Sequence, residues 1–147
     1  GNPTETGDRI GASYKIGAFK ISGMWMEAKD MGGTVSGGSS VKRKSWSLGG
    51  AYTAGNNVFK LQYVKADDRS NNSAGASSPD TGASMWALGW DHLLSKTTKA
   101  YIAYAKTDNA TSASYTVNGA GHDANDKVTP AAGNDPSVWS VGMVVNF

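Results

Sequence analysis

Apolar and polar residues alternate along most of this chain with a period of two. Between residues 9 and 16, Ile10, Ala12, Tyr14 and Ile16 fall on one parity and Arg9, Gly11, Ser13 and Lys15 on the other. In the next stretch Phe19, Ile21 and Trp25 oppose Lys20, Ser22, Met24 and Met26. Five later stretches repeat the pattern, the last with Trp139, Val141, Met143, Val145 and Phe147 against Ser140, Gly142 and Asn146. Such alternation predicts strands whose two faces meet different surroundings. The expected strands cover about 8–17, 18–28, 42–54, 57–66, 83–94, 97–107 and 137–147. Each is close to the roughly 9–11 residues that a tilted strand needs to cross the apolar layer of a membrane.

The connections alternate in length. Tight turns are expected around Ile16-Gly17-Ala18, around Ala54-Gly55-Asn56-Asn57 and around Leu94-Ser95-Lys96-Thr97, with Gly55-Asn56 supplying positive-φ residues for a hairpin. The other three connections, 28–41, 66–83 and 107–137, are long and rich in Gly, Ser, Asn, Asp and Ala. Short turns at one end and long loops at the other are the layout of an outer-membrane barrel. The fold class expected is therefore all-β, a transmembrane antiparallel β-barrel.

The aromatic residues sharpen the assignment of faces. Tyr14, Phe19, Trp25, Trp46, Tyr52, Phe59, Tyr63, Trp86, Trp90, Tyr104, Trp139 and Phe147 share the apolar parity, and only Tyr101 and Tyr115 do not. Trp and Tyr favour the headgroup level of a bilayer, so this parity is expected to face lipid, with aromatic girdles at both rims. The opposite parity carries Arg9, Lys15, Lys20, Arg43, Lys60, Gln62, Lys99 and Tyr101, with Asp91 as its clear acid. A dry core would not hold six cations with one counter-charge, whereas a water-filled lumen would. These nine residues are the expected pore lining, and their excess of cations predicts a preference for anions. The expected function is passive diffusion of inorganic ions and small hydrophilic solutes.

Composition removes other classes. The 147 residues contain no cysteine, so there is no disulfide framework or thiolate metal site. A net charge of +2 is too small and dispersed for a nucleic-acid binder. His92 and His122 are isolated, and the glycine pairs Gly32-Gly33 and Gly37-Gly38 lack the Lys-Ser/Thr of a phosphate cradle, so no enzyme, metal or cofactor is expected. His92 has lipid-side parity near the short-turn rim; His122 sits beside Asp123 and Asp126 in a loop. Lys42-Arg43-Lys44 is split between the two faces at the long-loop rim, where lipopolysaccharide phosphates are a candidate partner.

Three stretches carry a family resemblance. The ending Val138 to Phe147 resembles the final strand of Gram-negative outer-membrane proteins, the signal read by the barrel assembly machinery. Its alternate residues Trp139, Val141, Met143, Val145 and Phe147 would form that signal. Ala87-Leu88-Gly89-Trp90-Asp91-His92, followed by Leu93-Leu94-Ser95-Lys96-Thr97-Thr98, resembles a hairpin of the general porins of beta-proteobacteria, with Thr97 where that family often has Arg. Trp46-Ser47-Leu48-Gly49-Gly50-Ala51-Tyr52 resembles the same family's strand pattern, and Val144 replaces a basic residue often found in the last strand. The resemblance implies a homotrimeric, sixteen-stranded porin in the outer membrane. Residues 1–147 are then expected to be the C-terminal seven strands of one barrel, because an antiparallel barrel of this type closes on an even number. The alternatives are another outer-membrane barrel, such as a substrate-specific channel or small anchor, and a soluble all-β binding module.

Overall fold

A computed structural model of the chain describes residues 6–29, 41–71, 77–117 and 130–146. Phe147, His122 with Asp123 and Asp126, and the glycine pairs Gly32-Gly33 and Gly37-Gly38 lie outside the described residues. Seven long strands dominate: β1 (Thr6–Ile16), β2 (Phe19–Lys29), β3 (Val41–Ala54), β4 (Asn57–Ala66), β7 (Ala83–Leu93), β8 (Thr98–Asn109) and β9 (Ser137–Val145). Two short ones, β5 (Arg69–Asn71) and β6 (Ser77–Ser78), lie in the connection between β4 and β7. All pairings are antiparallel, and the main path runs β1-β2-β3-β4-β7-β8-β9, with no helix among the described residues. The fold is the all-β antiparallel sheet that the alternation predicts.

Register keeps the two parities apart across the whole sheet. Residues directly opposite on paired strands share a face, and a slip of one residue would invert it. Tyr14 faces Ile21, Trp25 faces Trp46, Tyr52 faces Phe59, Phe59 faces Trp90, and Tyr104 faces Trp139. These apolar side chains are not covered. Tyr14 is 71% exposed, Leu61 55%, Leu88 48% and Val141 75%, and the only buried hydrophobic residue among those described is Ala113. A soluble sandwich covers its apolar face with a second layer. Here the strands form one layer with an apolar side facing outward, which is stable only if that side meets lipid.

The tight turns differ from expectation in one detail. Ile16 pairs with Phe19 and Ala54 with Asn57, leaving the two-residue loops Gly17-Ala18 and Gly55-Asn56. Gly17 and Gly55 have φ of 56° and 57°, but Asn56 does not adopt positive φ. Glycine first, with only that residue left-handed, is the arrangement of a II′ turn, so one glycine per turn is enough. In the β7–β8 turn, Ser95 Oγ instead accepts the N–H groups of Thr97 and Thr98 at 3.1 and 3.0 Å.

The described parts of the connection 66–83, residues 66–71 and 77–83, carry more pairing than their polar composition implies. Asp68 Oδ1 accepts from the N–H groups of Thr81 and Gly82 at 2.9 and 2.7 Å, closing the loop at its base. Above it, β5 pairs with β6 and with Val41 and Lys42 of β3. Strand β3 is 14 residues long against 10 for β4, and its overhang supplies the edge that β5 extends.

Leu88 lies midway between Trp86 and Trp90 on the apolar face. Leu88→Lys should destabilise the full-length protein in phospholipid vesicles by about 2–4 kcal/mol, the cost of a lysine at mid-bilayer. Gln62→Lys, on the opposite face, should leave stability nearly unchanged. Urea titrations of both variants check this.

A candidate pore wall

The nine residues expected to line a pore all lie on the non-apolar face. Lys15 faces Lys20 across β1 and β2, and the same rung continues through Ala51 to Lys60, Gly89 and Ala103. One rung towards the long loops, Gln62 lies between Gly49 and Ala87. On the other side of the lysine rung, Asp91 faces Tyr101 and Tyr101 faces Gly142. Arg9 pairs with Met26, Arg43 with Ala28, and Lys99 with Leu93 and Val144. Two lysines directly opposite repel and destabilise a ladder. They are tolerable where water solvates both, and Lys15 and Lys20 are both exposed.

Charge is distributed less evenly along this wall than composition implies. Asp91 Oδ2 accepts from Lys60 Nζ at 2.6 Å and from Lys99 Nζ at 2.9 Å, bridging β4, β7 and β8. The Asp91 carboxylate is only 10% exposed, so it is screened by its partners more than by solvent. A Cβ at Gly89 would lie 3.6 Å from Lys60 Cβ, an ordinary van der Waals contact against the lysine stem. The acid that the alternation leaves as a lone counter-charge therefore serves two cations. Among the described residues Lys15 and Lys20 have no acidic partner, and they carry the open positive charge.

Arg43 departs from its expected surroundings. Its guanidinium donates to the Thr81 carbonyl at 3.2 Å and lies 5.0 Å from the centroid of the Tyr115 ring. It sits on the lumen-side face but beneath the last long connection, whose start folds back over it. This explains why Tyr115 breaks the aromatic parity: it belongs to a loop, not to a strand. Tyr101, the other exception, lies flat over Gly142, where a Cβ would meet its Oη at 2.6 Å. An aromatic ring covering a cross-strand glycine restores packing that the glycine lacks.

Asn109 is a structural residue that the alternation does not reveal. Its Nδ2 donates to the carbonyls of Tyr115 and Asn134 at 2.9 and 2.7 Å, and its Oδ1 accepts from Tyr115 N–H at 2.9 Å. Asp135 Oδ1 accepts the Asn109 N–H at 2.8 Å. One amide thus ties together both ends of the last long connection. Asn109-Ala110-Thr111 reads as a sequon in the sequence; in the structure the amide is consumed by the loop.

On the apolar face, Phe19, Tyr52, Phe59 and Trp90 occupy one rung near the tight turns, and Phe19 stacks on Tyr52 at 4.6 Å. Towards the long loops, ring contacts run Trp46–Tyr63 at 5.3 Å, Trp86–Tyr104 at 5.2 Å and Tyr104–Trp139 at 4.7 Å. Trp25 faces Trp46 at the same rim. Below, Asn57 Oδ1 accepts from Trp90 Nε1 at 3.0 Å and lies 2.9 Å from His92 Nδ1, satisfying polar atoms at the rim. His92 is thus engaged with an amide, and no group of three or more metal-ligating side chains occurs among the described residues.

A single sheet with an exposed apolar face, aromatic rows at both of its limits and a basic, hydrated reverse is the wall of a membrane-spanning β-barrel. The family model for Gram-negative porins matches residues 1–112. The chain belongs to the Gram-negative porin family, which places it in the cell outer membrane. It is 33% identical over 107 residues to outer membrane porin protein 32 of Delftia acidovorans, an alignment spanning 69% of this chain and 26% of that protein. Its structure resembles the anion-selective porin from Comamonas acidovorans with a TM-score of 0.71 and 26% identity, covering 96% of this chain and 39% of that one. The chain therefore spans well under half the length of the relatives it matches.

Asp91→Asn should free Lys60 and Lys99 while removing the one acid of the wall. The anion-to-cation permeability ratio of the full-length porin, read from zero-current potentials, should rise up to about fivefold, as a unit charge roughly 8 Å away across water shifts an anion and a cation by about 0.5 kcal/mol each in opposite directions. Asn109→Ala should leave strand protection intact yet make the last long connection the first site cut in limited proteolysis.

Proposed function

We propose that this chain forms an arc of a water-filled outer-membrane porin through which inorganic ions and small hydrophilic solutes pass by diffusion, anions preferentially. The observation that carries this reading is the Lys15–Lys20 pair. Two lysines are placed face to face at a cost in ladder stability, on the hydrated side of a sheet whose other side is apolar. Their benefit is a positive ridge beside the path of a solute, where fixed charge of one sign raises the local concentration of the opposite ion. The Comamonas relative is an anion-selective porin, which supports the same sign.

No chemical step is required of such a wall, and no residue here is assigned a catalytic role. Lys60 and Lys99 contribute a net single positive charge with Asp91. Arg9, Gln62 and Tyr101 complete the polar lining, and Arg43 holds the last long connection against the outer mouth. The partners that fit this reading are outer-membrane lipid and lipopolysaccharide around the apolar face, further copies of the porin in a homotrimer, and the barrel assembly machinery. For the last of these, Trp139, Val141 and Met143 are the alternate residues of β9 on the apolar face. Val145 continues that parity, and Phe147 would end it. In the complete protein, the seven long strands would be the C-terminal part of one barrel.

The test is the zero-current potential of the full-length porin in a potassium chloride gradient. The wild type should prefer chloride. Replacing Lys15 and Lys20 by Gln together should lower the anion-to-cation permeability ratio at low salt by up to about fivefold for each charge removed, since each shifts an anion and a cation by about 0.5 kcal/mol in opposite directions, and less as ionic strength rises. A cation-selective wild type would overturn the anion preference.

A further inference from the structure

The polar face of the sheet is not polar throughout. One rung across it places Met24 opposite Ser47, Ser47 opposite Val64 and Val64 opposite Met85. Met24 is 41% exposed there, and Val64 and Met85 are half-buried. On the other face such side chains would meet lipid; here they meet water, a cost that Ser or Thr at the same positions avoids. Two rungs towards the tight turns lies the rung of Lys20, Ala51 and Lys60. The same-face residues therefore run Lys20, Ser22, Met24 along β2 and Lys60, Gln62, Val64 along β4, from cation to polar group to apolar group on both. Between them β3 carries only Ala51, Gly49 and Ser47. The small side chains of β3 leave a trough of about 410 Å³, with Lys20, Ser22, Lys60 and Gln62 on its sides. Resting on the reading of this face as the wall of an anion-conducting porin, we propose that the trough is a transit site for monocarboxylates with an apolar body, such as arylalkanoates.

The dimensions suit such a solute. Strands β2 and β4 stand about 9.6 Å apart, twice the strand spacing, so one ring or alkyl chain lies lengthwise over β3. The lysine and methionine rungs are four residues apart, about 13 Å along a strand, and both side chains are flexible enough to close on a shorter molecule. Lys20 has no acidic partner among the described residues, and Lys60 keeps N–H donors beyond its bond to Asp91. These two cations take the carboxylate, with Ser22 and Gln62 as further donors. The body then covers Met24 and Val64, removing apolar surface of both solute and wall from water. A thioether is polarizable and meets the edge of an aromatic ring favourably, which favours aryl over alkyl bodies. Gly49 keeps the floor low, since a Cβ there would meet Ser22 Oγ at 2.7 Å. The trough opens to the lumen along its length, so the solute is held on one side only and can leave, as passage through a channel requires.

The experiment records chloride current through the full-length porin in planar bilayers while phenylbutanoate, acetate or phenylbutylammonium is titrated in. Phenylbutanoate should halve the wild-type current at a concentration about tenfold below that of acetate, the gain from one ring partly covered by Met24 and Val64. Phenylbutylammonium, with the same body and the opposite charge, should block no better than acetate. The double variant Met24→Gln, Val64→Thr should bring the two acids within about twofold of each other, and Lys20→Gln should weaken the block by both. Equal half-blocking concentrations of the two acids in the wild type would overturn the proposal, and that comparison needs no variant to assemble. Block by the ammonium compound as strong as by phenylbutanoate would also overturn it, as would an advantage of phenylbutanoate that survives in the double variant. The zero-current potential separates this outcome from failure of the channel reading. A cation-selective wild type rejects that reading, whereas an anion-selective wild type that treats the two acids alike rejects the trough alone.

Discussion

The structure depends on one constraint: in hydrocarbon, every backbone N–H and C=O must find its partner within the protein. Here the ladders between successive strands meet it for the inner strands, without helices among the described residues, while the outer edges of β1 and β9 have no partner strand among those residues. Once the backbone is paired in one sheet, side chains have only two directions to point. One direction meets lipid and the other water, so period-two alternation follows from the pairing itself. Stability rests on the ladder and on contact with the surroundings; a packed interior contributes little, since Ala113 is the lone buried hydrophobic residue among those described.

Within that frame the basic face solves a problem that a core could not. Lysines facing each other would be intolerable in a dry interior, yet water screens them here. Asp91 limits this repulsion where three strands meet, drawing two lysines against the wall instead of leaving both free. Charge of the wall and cohesion of its strands are thus adjusted by the same side chains.

The long strands, the two faces and the aromatic rows were legible in the sequence because each follows from parity alone. Parity says nothing of what lies above a residue. Arg43 has the lumen parity, but a loop closes over it and its neighbours are Thr81 and Tyr115. Asp68 and Asn109 look like polar loop filler, since their roles depend on backbone groups at separations of 13 and 25 residues. The β5–β6 hairpin was hidden for a similar reason: its pairing depends on the overhang of β3. Asn56 shows the limit of turn propensities, because one glycine already provides the left-handed residue that the turn needs.

The near absence of buried apolar side chains also bears on how this wall can change over evolutionary time. In a packed domain most replacements of inward residues disturb neighbours on several sides. On the polar side of this sheet a new side chain points into solvent and touches mainly its cross-strand partners. Replacements there can therefore accumulate one at a time without compensating changes on the lipid side, provided the glycine beneath Tyr101 is kept. The polar side is thus free to drift in sequence, while the outward side stays fixed by the membrane.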